Sequence, residues 1–119
     1  MSHDKPYDLE ERTFQFAKAI RAFVKRLPRT ISNIEDVRQL VRASGSVGAN
    51  YIEANESLGR KDFRCRIRIA RKESKESRYW LKLVDVGEDK AIDAQRQTLI
   101  QESTELLRIL SAILEKSKT

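Results

Sequence analysis

Apolar and small residues along this chain recur every three or four positions, the period of a helix with one buried face. The pattern falls into four runs. The first holds Leu9, Phe16, Ile20, Phe23, Val24 and Leu27, with Phe14 and Ala17 beside them. It predicts a helix from Asp8 to about Leu27, with Asp8 and Glu11 as a weak capping box and Pro28 as its stop. The second opens on Ser32-x-x-Glu35, a capping box, and carries Val37, Leu40, Val41, Ser44, Val47, Gly48, Tyr51, Ile52 and Asn55. Gly59 breaks the pattern. The third run has the seam Phe63, Ile67, Ala70, Ser74, Ser77, Leu81, Val84, and Gly87 suits a left-handed residue at its end. The fourth, capped by Asp93, has the seam Leu99, Ser103, Leu106, Leu110, Ile113.

Four helical runs with short connections predict an all-α, antiparallel up-down-up-down four-helix bundle. Residues 8–117 make one domain and residues 1–7 a loose tail. Gly45 and Gly48 each cost about 1 kcal/mol against alanine inside a helix, so close approach of a neighbouring helix is expected. Counting equal distances from Gly59 sets Gly48 opposite Ala70, Ser44 opposite Ser74 and Val41 opposite Ser77. On that register Ser44, Gly48, Ala70, Ser74 and Ser77 form a close-packing patch between helices 2 and 3. Buried serines can return their hydroxyl hydrogens to the carbonyl four residues back. Asn50, Glu53 and Glu76 read as polar contacts that fix register or meet a neighbouring subunit.

More apolar and small residues are present than one four-helix core can bury. Ala43, Ala49 and Ala54 lie off the stripe of helix 2, and Cys65, Ile69, Tyr79, Trp80 and Leu83 off that of helix 3. Self-association would cover them.

Charge changes the picture most in helix 3. The chain has 119 residues and a formal net charge of +6. Opposite the seam runs a basic stripe at alternating steps of three and four: Lys61, Arg64, Arg68, Arg71, Lys75, Arg78 and Lys82. From residue 60 to residue 72 there are seven cations and one carboxylate, Asp62. A face built for solubility would interleave glutamates, because like charges at i, i+4 cost about 0.2–0.5 kcal/mol per pair. Arginine dominates, and its planar fork fits phosphate. Lys61, Arg64, Arg68, Arg71 and Lys75 are therefore candidates for binding either nucleic-acid phosphates, RNA or DNA, or an acidic protein partner. No aromatic side chain interleaves the stripe, so base stacking is not expected.

Catalytic chemistry finds little purchase. The single histidine, His3, lies in the tail, which removes Ser-His-Asp and Cys-His arrangements. Cys65 is the single cysteine and reads as incidental. The carboxylate pairs Glu53/Glu56 and Glu73/Glu76 lack the histidines of a di-iron site. No enzymatic activity, cofactor or metal is expected. The opening MSHDKPYDLEER is polar and no apolar run nears the roughly 20 residues of a membrane span, so a cytoplasmic protein without membrane contact is expected.

One stretch carries a family resemblance. Ser46-Val-Gly-Ala-Asn50-Tyr-Ile-Glu53-Ala54, then Asp62-Phe63, then Ala70-Arg71 and Glu76, resembles the bacterial four helix bundle protein family, also called the S23 or ribosomal-RNA intervening-sequence family. Its pattern is S-x-x-x-N-I-x-E-G, a short basic turn, then A-R-G-S-x-x-E. Leu27-Pro28 fits as well, and the likeness covers about residues 7 to 114. Here Ala54 stands for the usual glycine, Tyr51 for isoleucine and Lys72-Glu73 for Gly-Ser. The resemblance implies a left-turning antiparallel bundle assembled as a homopentamer. Family members include proteins encoded within insertions of large-subunit ribosomal RNA genes. They also include the accessory variability protein of diversity-generating retroelements, a basic pentameric barrel that binds nucleic acid and a reverse transcriptase.

Overall fold

A computed structural model describes residues 8–118; the tail containing His3 lies outside the described residues. Four α-helices follow one another: α1 Leu9–Val24, α2 Ile31–Asn55, α3 Arg60–Leu83 and α4 Lys90–Lys116. Helix α1 packs on α2 and α4, and α3 packs on α2 and α4. Neither diagonal pair makes close backbone contact among the described residues. The core lies between them, where Phe16, Ile20, Phe23, Leu40, Val47, Ile67, Leu81, Leu106 and Leu110 are almost wholly buried. Each such side chain contributes about 1.5–3 kcal/mol on leaving water.

Cross-helix contacts give the register. Arg12 meets Glu102 and Glu105, while Arg26 meets Gln95. Asn55 meets Glu10. Arg42 meets Glu73, and Arg66 meets Asn50. Arg64 reaches Leu114, and Arg78 reaches Thr104. In the three pairs α1–α4, α2–α3 and α3–α4, partner numbers fall as residue numbers rise.

Several helix ends differ from the sequence reading. Asp8 already has helical angles (φ −76°, ψ −3°), so its carboxylate makes no cap bond. Helix α1 stops at Val24 because its last turn tightens into i→i−3 bonds, Arg26 N–H to Phe23 O and Leu27 N–H to Val24 O. The cap of α2 is Thr30, whose extended backbone lets its hydroxyl accept from Asn33 N–H at 3.1 Å. Ser32, the expected cap, is already inside the helix. Asp89 caps α4 by accepting from Ala91 and Ile92 N–H. Asp93, the expected cap, pairs instead with Arg96 at 2.6 Å. Gly87 does take a left-handed conformation (φ 70°), but four residues beyond the end of α3, within the 84–89 connection.

Asn33 ties the two connections at this end of the molecule together. Its side chain is buried, donates to Pro28 O and Asp85 O, and accepts from Asp85 N–H at 2.9 Å. Arg96 adds a bond to Val84 O, one of the carbonyls left open at the end of α3.

The close-packing patch is rearranged. Ser44, Ala70, Ser74 and Ser77 are all fully buried, as their seam positions predict. Gly48, however, is packed against helix α1. A Cβ at Gly48 would lie 2.8 Å from Thr13 Oγ1 and 3.1 Å from Thr13 Cβ. The hairpin count from Gly59 set Gly48 opposite α3, whereas α2 packs against both α1 and α3. The serines also divide. Ser77 Oγ donates to Glu73 O and Ser44 Oγ to Val41 O, while Ser74 Oγ has no partner.

Candidate nucleic-acid interface

Helix α3 buries the predicted seam at Ile67, Ala70, Ser74, Ser77 and Leu81, with Phe63 half-buried. Glu73 joins the seam: its carboxylate is nearly buried and accepts from Arg42 of α2 at 3.3 Å, an arginine that also reaches Glu76 at 3.4 Å. Glu73 and Glu76 therefore look across to α2. Lys72 stands 3.9 Å from Glu76, beyond hydrogen-bond length.

The basic stripe separates into two rows with a seven-residue spacing. One row, Arg64, Arg71 and Arg78, is half-buried on the α4 side. The other, Lys61, Arg68, Lys75 and Lys82, is exposed. The split follows from helix geometry, since seven residues make just under two turns. Arg78 donates to Thr104 Oγ1 at 3.2 Å. Arg64 donates to Leu114 O at 2.6 Å and to Ser117 Oγ, so it closes the carbonyl end of α4. The sequence places Arg64 among the partner-binding cations; in the fold its guanidinium already serves α4. Lys61, Arg68, Arg71 and Lys75 enter no ion pair or side-chain hydrogen bond among the described residues.

Arg66 flanks the stripe and donates to Asn50 Oδ1 at 3.1 Å, while Asn50 Nδ2 donates to Ser46 O and Ser46 Oγ. Asn50 thus links α2 to α3. Glu53 is exposed, its side chain in no ion pair or hydrogen bond among the described residues, and its backbone carbonyl accepts from Glu56 N–H and Ser57 Oγ. Cys65 is exposed. Among the described residues no three acidic, histidine or cysteine side chains converge as a metal site would require, and no helix is long and apolar enough to cross a membrane.

A second feature opens between α1 and α4, a groove of about 660 Å³ floored by Phe16, Ala19 and Leu99. Its rim carries the tightest ion pairs across helices. Arg12 Nε lies 2.7 Å from Glu102 and Arg12 Nη2 lies 2.7 Å from Glu105. The bond to Glu102 leads in holding the Arg12 guanidinium above its ordinary value, against desolvation. The Glu105 carboxyl is held below its ordinary value by the bond from Gln101 first and that from Arg12 second.

Arg42, Asn33 and the Arg12 cluster were not singled out in the sequence. Their long-range partners lie 31 to 93 residues away, and no local spacing announces them.

The model of the 23S rRNA-intervening sequence protein family matches residues 6–112. Among solved structures, this chain is similar to a protein of unknown function from the S23 ribosomal protein family of Bacteroides thetaiotaomicron VPI-5482. The two are 29% identical, the match covers 88% of this chain and 96% of that one, and the TM-score is 0.76. Comparison with curated proteins gives no match.

Proposed function

This chain belongs to the 23S rRNA-intervening sequence protein family, and from that premise we propose that it is a non-enzymatic, self-assembling bundle that holds nucleic-acid phosphates along α3. The observation that carries this reading is the row of unpaired cations, Lys61, Arg68 and Lys75, with Arg71 beside it. From residue 63 to residue 72 no carboxylate interrupts the face. Lys61 to Lys75 spans about 21 Å at 1.5 Å per residue, about six steps of a duplex strand at 3.4 Å each. Contacts of this kind grip the backbone and tolerate any base sequence.

The falling partner numbers support an antiparallel, up-down-up-down arrangement. Self-assembly is supported by large apolar side chains left open to solvent, Ile31, Ile52, Leu58, Tyr79 and Leu83 among them. The family resemblance favours a pentamer, in which the basic face would recur fivefold and its field would reach several kT. Light scattering would then read about 69 kDa for five 13.8-kDa chains, and a monomer at micromolar concentration would remove the assembly. A cytoplasmic location accords with both parts of this reading.

The test is binding to random-sequence single- and double-stranded RNA and DNA at low salt. The triple variant Lys61→Glu, Arg68→Glu, Lys75→Glu should lose binding. A matched variant at Lys25, Arg29 and Arg38 should keep most of it. If the wild type does not bind, or both variants behave alike, the reading is wrong; the α3 face would then pass to an acidic protein partner.

A further inference from the structure

The unpaired, half-buried Arg71 raises a separate question. An arginine drawn partly out of water and set beside another cation normally has a counter-charge. On α3 its neighbours along the same flank are Lys75 and Arg68, both cations. What stands opposite on α4 follows from the register. Arg64 bonds at Leu114 and Ser117, seven residues before Arg71, and Arg78 bonds at Thr104, seven residues after it. Arg71 therefore lies at the level of about residues 108 to 111 of α4. Thr104 marks the flank of α4 that meets α3. One turn and two turns further along that flank come Arg108 and Ser111.

Arg108 is exposed and Ser111 half-buried, and neither side chain enters an ion pair or hydrogen bond among the described residues. The carboxylate whose field Arg108 reaches, Glu105, is already bonded to Arg12 and Gln101. Glu115, further along the same flank, is paired with Lys118 at 3.3 Å. Three cations from two helices thus fall at one level of the α3–α4 pair, and none of them enters an ion pair among the described residues.

We infer that Arg71 and Lys75 of α3 and Arg108 of α4 form a single phosphate-binding site across the α3–α4 seam, with the Ser111 hydroxyl available as a further donor. The phosphate is a diester of the nucleic-acid backbone, so the inference rests on the function proposed above and deepens it. It adds a contact on a second helix and turns a one-helix row into a two-helix cradle. A phosphate there accepts from two guanidinium forks, a geometry that a flat row of lysines does not offer.

The experiment is fluorescence anisotropy of a random-sequence DNA duplex with the full chain over a range of salt concentrations. A lost phosphate contact forgoes release of about 0.9 counterion, which is about eightfold in affinity at 0.1 M salt. Arg108→Ala should therefore bind more weakly, by at most about eightfold, with a salt slope shallower by at most about 0.9, because Arg71 and Lys75 still face the same phosphate. Arg38→Ala, an exposed cation on α2, should leave both readouts near wild type. Because Arg71 and Arg108 share one phosphate, the double variant Arg71→Ala/Arg108→Ala should lose less than the product of the two single losses. If Arg108→Ala keeps wild-type affinity and slope while the triple α3 variant is defective, the two-helix site is wrong and the α3 reading stands. Fully multiplicative losses would likewise remove the shared site. If the wild type binds no duplex, both fall together.

Discussion

Gly48→Ala and Gly45→Ala place the same methyl group three residues apart in one helix, and the structure predicts opposite outcomes. Alanine is worth about 1 kcal/mol over glycine in a helix interior. At Gly45 the new Cβ meets only Arg21 Nη2, at 3.4 Å, the far end of a long side chain that can swing aside. Gly45→Ala should therefore stabilise the fold by about 1 kcal/mol. At Gly48 the new Cβ would sit 2.8 Å from Thr13 Oγ1 and 3.1 Å from Thr13 Cβ. Thr13 is buried, its hydroxyl donates to Leu9 O and Glu10 O, and its branched side chain has few rotamers to move into. Overpacking of this kind costs about 1–3 kcal/mol, which cancels or exceeds the gain in propensity. The two variants should thus differ by about 1–3 kcal/mol, or about 4 °C in melting temperature for each kcal/mol. Urea and thermal melts followed by helical circular dichroism, at one fixed chain concentration, read this directly. Thr13→Ala should partly relieve Gly48→Ala in a double-mutant cycle. Equal stabilisation by Gly45→Ala and Gly48→Ala would refute the close approach of α1 to α2 at Gly48.

Two further outcomes follow from the polar contacts. Arg64→Ala should destabilise the fold by about 1.5–3 kcal/mol, the range for hydrogen bonds from a charged donor, and should speed amide exchange in the last turn of α4. Unchanged exchange there would remove its capping role. Glu105 is held below its ordinary value by Gln101 and Arg12, so it contributes stability above the usual carboxylate range. That contribution is lost as pH falls through its lowered folded-state value. Glu105→Gln should therefore flatten part of the acid limb of a pH-stability profile, and an acid limb identical to wild type would count against the Arg12–Glu105 link.

The seam of α3 was legible because periodicity alone selects a buried face, and Ile67, Ala70, Ser74, Ser77 and Leu81 needed no knowledge of their neighbours. Which helix lies against a buried residue was not legible. Gly48 shows this, since its place in the buried stripe is correct but the atoms nearest to a Cβ there belong to Thr13 of α1. The caps failed for a related reason. Ser32 and Asp93 have the right chemistry, but Thr30 and Asp89 have the extended backbone that a cap requires. The basic stripe was legible as a stripe and not as two rows. The demand on Arg64 comes from Leu114 and Ser117, 50 and 53 residues away, where no local pattern points. Arg108 escaped notice because it is one cation in an ordinary amphipathic helix. It gains meaning only once the Arg64 and Arg78 bonds set α4 at the level of Arg71.

The salt dependence of duplex DNA binding by the full chain tests the central claim most directly. Four separate phosphate contacts from Lys61, Arg68, Arg71 and Lys75 predict a slope of log K against log salt of about −3.6, or about −2.7 where Arg71, Lys75 and Arg108 share one phosphate beside those of Lys61 and Arg68. Measurable binding with a slope near zero would contradict a phosphate-gripping face on α3, as would a steep slope that the Lys61/Arg68/Lys75→Glu variant leaves unchanged.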